Sequence, residues 1–140
     1  MYKDGSYKCI KTVKGRENTS TTIKKLGFGR GYSFKVRSYV NKKSGSFSNK
    51  LRVPVKPKKG SIKRLKTGSS HYITATWYKR TGSGYQLKRA TNSKFTKNVR
   101  TYKITSSSSL CKKMTGLKKG RTYYVKVRAY KSYGGKTVYG

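Results

Sequence analysis

Leu117-Lys-Lys-Gly120-Arg121-Thr-Tyr123-Tyr-Val125-Lys126-Val127-Arg128-Ala-Tyr130 is the stretch whose reading decides the fold. From Thr122 onward it alternates. Tyr123, Val125, Val127 and Ala129 occupy one phase, and Tyr124, Lys126, Arg128 and Tyr130 the other. A period of two sustained to Tyr130 belongs to a strand and not to a helix. The first phase is predicted to face a core and the second to face solvent.

The same passage occurs earlier in the chain. Leu26-Gly-Phe-Gly29-Arg30-Gly-Tyr32-Ser-Phe34-Lys35-Val36-Arg37-Ser-Tyr39 matches it at eight of 14 positions, at a constant offset of 91 residues. In the same register Ile23 falls on Met114 and Val13 on Ile104. A repeat at a fixed period signals an array of similar modules, and about 90–100 residues is the length of a small β-sandwich. Beyond Tyr39 and Tyr130 the register slips, as a loop-length difference before a last strand would produce. Val53-Pro54-Val55-Lys56-Pro57 lies between the copies. Prolines spaced in this way favour an extended connector and exclude a central strand. The predicted division is residues 1–53, a connector at 54–57, and residues 58–140.

The second copy carries further strand signals. Ile62 and Leu65 suggest a short first strand, and Ile73, Ala75 and Trp77 alternate with threonines in a second. After the turn at Thr81–Gly84, Tyr85, Leu87 and Arg89 alternate with Gln86, Lys88 and Ala90. Val99 to Ile104 and Leu110 to Met114 read as two more strands.

Leu117, Gly120 and Tyr123, like Leu26, Gly29 and Tyr32, resemble the corner before the sixth strand of fibronectin type III domains, where a tyrosine hydroxyl bonds back to backbone. Trp77 resembles the core tryptophan of the second strand of that family, and Gly84–Leu87 its third strand. The run from Val127 to Gly140 is similar to repeats of secreted and wall-attached bacterial proteins. The resemblance implies an all-β fold of tandem immunoglobulin-like antiparallel sandwiches, with the first module incomplete. The first copy is expected to lack the equivalents of residues 57–92, and the second most of its last strand. The sixth strand of that topology pairs with the third and the last, so the first copy is expected to leave a strand edge and an apolar face uncovered.

Composition narrows the function. The chain has 140 residues, 37 Lys and Arg, only Asp4 and Glu17 as acids, and a net charge of +35. Such a charge destabilises compact states and attracts polyanions of every kind. Hydrophobic content of 32% is too low for one large core, while 13 tyrosines argue against a disordered basic tail. Acid–base catalysis needs titratable groups in pairs, and His71, Asp4 and Glu17 are too few and too dispersed to make an active site. Cys9, Cys111 and His71 lack zinc-ligand spacing, and calcium would need more carboxylates. No enzyme, metal or cofactor is therefore expected. The cysteines are expected to be free and partly buried. Gly27, Gly29 and Gly31 imitate a phosphate loop, but they precede a strand and not a helix. No apolar run near Met1 resembles a signal peptide, and none reaches membrane-spanning length.

What remains is a basic face, with Lys35, Arg37, Lys88, Lys126 and Arg128 as its candidate residues. The resemblance implies a non-catalytic spacer or adhesion module, extracellular or in a cell wall. Its expected partners are an anionic wall polymer, a glycan or a host surface, and neighbouring domains of the same parent chain. The alternative, from charge alone, is a nucleic-acid-binding protein. No recognition helix and no RNA-binding signature accompanies that charge, so no specific nucleic acid is expected.

Overall fold

The structure is a computed structural model that describes residues 7–69 and 71–140. Asp4, one of the two acids, lies outside the described residues. All regular structure among these residues is β-strand: β1 (Gly31–Phe34), β2 (Tyr39–Val40), β3 (Lys43–Ser44), β4 (Leu51–Pro54), β5 (Ile62–Gly68), β6 (Tyr72–Trp77), β7 (Gly84–Ala90), β8 (Arg100–Ile104), β9 (Cys111–Met114), β10 (Tyr124–Tyr133) and β11 (Lys136–Tyr139).

The second copy builds a two-sheet antiparallel sandwich. One sheet has the order β5-β6-β9 and the other β11-β10-β7-β8. Counted within this module, the sixth strand lies between the third and the seventh, the arrangement implied by the fibronectin type III resemblance. Alternation decides what the two sheets bury. Ile73, Ala75 and Trp77 of β6 face Tyr85 and Leu87 of β7, with Met114 and Ala129 closing the cluster. Trp77 and Tyr85 meet at 5.4 Å between ring centroids, tilted by 57°. That is a favoured geometry for aromatic pairs.

The sandwich departs from the strict alternation at both ends of the β7–β10 ladder. Tyr130 was expected to face solvent, yet it is only 4% exposed. β11 supplies the cover: Tyr139 lies directly opposite Tyr130, with ring centroids 6.2 Å apart. Ala90, on the outward phase of β7, is likewise fully buried. β10 also runs past Tyr130 to Tyr133 and turns back through Gly134 and Gly135, both at positive φ. A two-residue turn with positive φ at both positions matches the twist of a hairpin and favours glycine.

The first copy is thinner. β1 pairs with β4, from Gly31 opposite Pro54 to Phe34 opposite Leu51, and β2 and β3 make a short hairpin across Asn41 and Lys42. Pro54, placed in the connector by its sequence, is the buried last residue of β4. A proline is tolerated there because β4 is an edge strand. The first copy's match to the Tyr123–Tyr130 strand, Tyr32 to Tyr39, is interrupted: β1 ends at Phe34 and β2 begins at Tyr39. Ile10, Val13, Phe28, Val36, Val40 and Phe47 are exposed, Val36 to 71%, whereas among the described residues the whole buried core cluster belongs to the second copy.

What holds β1 and β4 in place is close backbone packing against the second module. The Ser33 and Tyr133 hydroxyls are 2.9 Å apart. A Cβ at Gly31 would run into the Tyr133 ring, and one at Gly29 into the Thr81 carbonyl. Amide hydrogen exchange follows the depth of burial. Amides of β6, β7 and β10 should exchange orders of magnitude more slowly than those of β1 to β4 by exchange mass spectrometry. Equal protection in the two copies would show that the first copy has a core of its own.

Candidate functional site

The two sequence-matched corners have one geometry. Tyr123 Oη accepts a hydrogen bond from the backbone N–H of Lys118 at 3.0 Å, and Tyr32 Oη accepts one from Gly27 at 2.8 Å. In each case the donor follows the corner leucine, Leu117 or Leu26. Gly29 and Gly120, in the middle of each corner, have φ of 67° and 70°, where a side chain is disfavoured. The surroundings of the two glycines differ. Gly29 is buried against the Thr81 backbone of the second module, while nothing lies within 4 Å of a Cβ built on Gly120.

The sequence did not single out a third hydroxyl of this kind. Tyr85 Oη, in the core, accepts from Arg80 N–H at 2.8 Å, again five residues upstream. The signal was available as a tyrosine at the head of a strand, directly after the Gly-containing turn Thr81–Gly84.

The five candidate cations fall into two groups. Lys88, Lys126 and Arg128 share the outward face of the four-stranded sheet, because Lys126 lies opposite Lys88 and Arg128 opposite Gln86. Lys103 joins them from β8, opposite Gln86. Lys35 and Arg37 belong to the first copy and follow the end of β1.

Four of the five lie over aromatic rings. Lys126 Nζ sits 4.0 Å from the centre of Phe95, and Arg128 Cζ sits 3.6 Å from that of Tyr139. Lys35 Nζ is 5.1 Å from the Tyr7 ring, and Arg37 Cζ is 4.7 Å from the Phe47 ring. Arg128 Nε also donates to Gln86 Oε1 at 2.8 Å. Such stacking is worth about 0.5–1 kcal/mol at an exposed site and leaves the positive charge on the surface. Phe95 and Tyr139 were not foreseen as part of this face, since one lies in a loop and the other in the closing strand.

Among the described residues, His71, Cys9, Cys111 and Glu17 converge on no site. His71 heads β6 with φ of 51°. Its carbonyl accepts from Leu117 N–H, so it acts as a turn residue. Cys9 and Cys111 were expected to be partly buried; both are free and exposed, Cys9 in a segment without regular structure and Cys111 on the outward phase of β9. Among the described residues, no cluster of three His, Cys, Asp or Glu residues forms, and no helix is long and apolar enough to cross a membrane.

No protein-family model matches the chain, and no curated protein matches it significantly. Among solved structures it is similar to the crystal structure of the chicken CNTN1 FN1-FN3 domains, at 21% identity and a TM-score of 0.47. That match covers 81% of this chain and 42% of the other, so the chain spans less than half the length of that structure. The strand order of the second copy is itself fibronectin type III-like: three strands on one sheet and four on the other, with β10 between β7 and β11.

Tyr123→Phe and Tyr32→Phe each remove one hydroxyl and its bond. Urea unfolding should report a loss of about 1 kcal/mol for Tyr123→Phe. For Tyr32→Phe the loss should appear as faster exchange in the first copy, with the main unfolding transition unmoved. Gly120→Ala should cost about 1–2 kcal/mol from the left-handed backbone alone. Gly29→Ala should in addition release β1 and β4 from the second module, seen as new protease sensitivity between residues 27 and 57. Equal effects of the two alanines would refute the close packing at Gly29.

Proposed function

We propose that the chain is a non-catalytic structural or adhesion module of a secreted or cell-wall-associated bacterial protein, and that its outward basic face contacts an anionic polymer. One observation carries this reading: Lys88, Lys126 and Arg128 stand together on one sheet face, with Lys126 and Arg128 held over aromatic rings. Pre-ordered cations lose less side-chain entropy on binding than free ones. A flat sheet suits a long, repetitive, flexible ligand better than a small molecule, which needs a concave site. The tandem register supports a spacer role, because modules stacked through extended connectors hold other domains at a distance. The similarity of the Val127–Gly140 run to repeats of secreted and wall-attached proteins supports the location.

The test separates a defined face from bulk charge. Lys88→Gln/Lys126→Gln/Arg128→Gln and Lys14→Gln/Lys24→Gln/Lys25→Gln lose the same charge, the second set at exposed positions of the first copy. On immobilised heparin and on immobilised poly(glycerol phosphate), the first variant should elute at clearly lower salt than the second. Equal shifts would mean that net charge alone drives binding and that the face has no role. Sequence-dependent binding to duplex DNA that persists at about 0.15 M salt would favour a nucleic-acid-binding protein, since non-specific contacts weaken steeply as salt rises.

A further inference from the structure

Arg89 breaks the pattern of its strand. It sits on the inward phase of β7 after Tyr85 and Leu87, and it is only 7% exposed. Its Nε donates to Tyr102 Oη at 3.2 Å, and its guanidinium lies 5.1 Å from the centre of the Tyr123 ring. No hydrogen bond to its Nη atoms and no carboxylate partner exists among the described residues. Neither Nη atom is sealed in protein, since among the described residues Trp77 Nε1 alone is fully buried without a partner. A buried cation without a counter-charge is costly, typically by several kcal/mol.

The surroundings raise that cost. Arg100 of β8 lies directly opposite Arg89 in the ladder, and like charges so placed repel. Arg89, Arg100, Lys118 and Arg121 together line an open cavity of about 390 Å³, which Tyr123 and Asn98 also line. The volume lies within the range of about 300–1,000 Å³ usual for ligand pockets. Four cations converge there from two strands and the corner loop. The corner bond from Lys118 N–H to Tyr123 Oη holds that loop against the pocket.

We propose that this cavity is a binding site for a tetrahedral oxyanion, a phosphate or sulfate group, with the Arg89 guanidinium at its base. Guanidinium groups bind such oxygens through paired N–H donors, and one anion between Arg89 and Arg100 would relieve both the burial and the repulsion. The anion is either free in solution or an ester group on a polymer; the chemistry at the pocket is the same. The site is distinct from the Lys126–Arg128 face, because Arg89 and Arg100 lie on the opposite phase of the sheet.

The test uses the whole chain, isotopically labelled and titrated in NMR with sodium phosphate, with sodium chloride at matched ionic strength, and with a short glycerol-phosphate diester oligomer. Saturable shifts of the Arg89 Nε–H and the Gly116 and Lys118 amides are expected with phosphate and not with chloride. Arg89→Gln risks unfolding, so the variants are Arg100→Gln and Arg121→Gln, both at exposed positions. Each should weaken binding about tenfold or more, while Lys126→Gln should leave it within about twofold. Tighter binding of the diester identifies a polymer phosphate as the ligand, and tighter binding of inorganic phosphate identifies the free anion. Non-saturating shifts spread over the chain in both salts would overturn the proposal, as would saturable binding that both arginine variants leave intact.

Discussion

A tyrosine hydroxyl returned to the backbone five residues upstream is the contact on which this fold turns. Tyr32, Tyr85 and Tyr123 each make it. At Tyr85 and Tyr123 the bond lies where the chain leaves one sheet and enters the other, and so fixes which phase of the following strand points inward. For Tyr85 the consequence is direct. With its hydroxyl held by Arg80, the ring packs on Trp77, and Leu87 two residues later completes the centre of the core. For Tyr123 the same bond sets the phase in which Val125, Val127 and Ala129 meet that core. A chain poor in aliphatic residues thus orders its strands with aromatic rings that also carry a polar handle.

The second constraint is charge. Glu17 is the only described acid and it is exposed, so ion pairs cannot offset 37 cations. Aromatic rings take over part of that role. Lys126 on Phe95, Arg128 on Tyr139, Lys113 on Tyr72 and Arg37 on Phe47 are ordered without losing their charge. The abundance of tyrosine therefore has two physical uses, corner bonds inside and stacking platforms outside. Lys126, directly opposite Lys88 in the ladder, is among the cations so ordered, its side chain resting on the loop residue Phe95.

Much of the architecture was legible because it rests on alternation and local geometry. The strands of the second copy, the phase of Trp77, Leu87 and Val127, and the corner at Gly120 all follow from short-range pattern. What sequence could not supply was set by distant partners. Tyr130 reads as outward, but Tyr139 covers it from the next strand. Cys111 sits beside apolar Leu110 and reads as half-buried, but the β6–β9 register turns it outward. Pro54 reads as connector, but it closes a strand that only β1 borders. Lys126, Lys88 and Arg128 could be placed on one face from alternation, whereas the rings that order them come from a loop and from the chain's closing hairpin.

Arg89 shows how a pattern violation carries information. Strand alternation assigns it to the core, where a lone guanidinium is unfavourable, and among the described residues no acid pairs with it. In a fold selected for stability alone, a leucine would serve better there, since apolar replacements of buried charges are often neutral or stabilising. Tyr102 and Tyr123 satisfy only part of its donor fork and leave the rest facing a basic cavity. The residues that stabilise the corner are thus the ones that position the guanidinium. Tyr123 does both, receiving the Lys118 amide on its hydroxyl and Arg89 on its ring. If the cavity takes an anion, occupancy would be felt first at the corner, because the loop that carries Lys118 and Arg121 is the loop that Tyr123 holds.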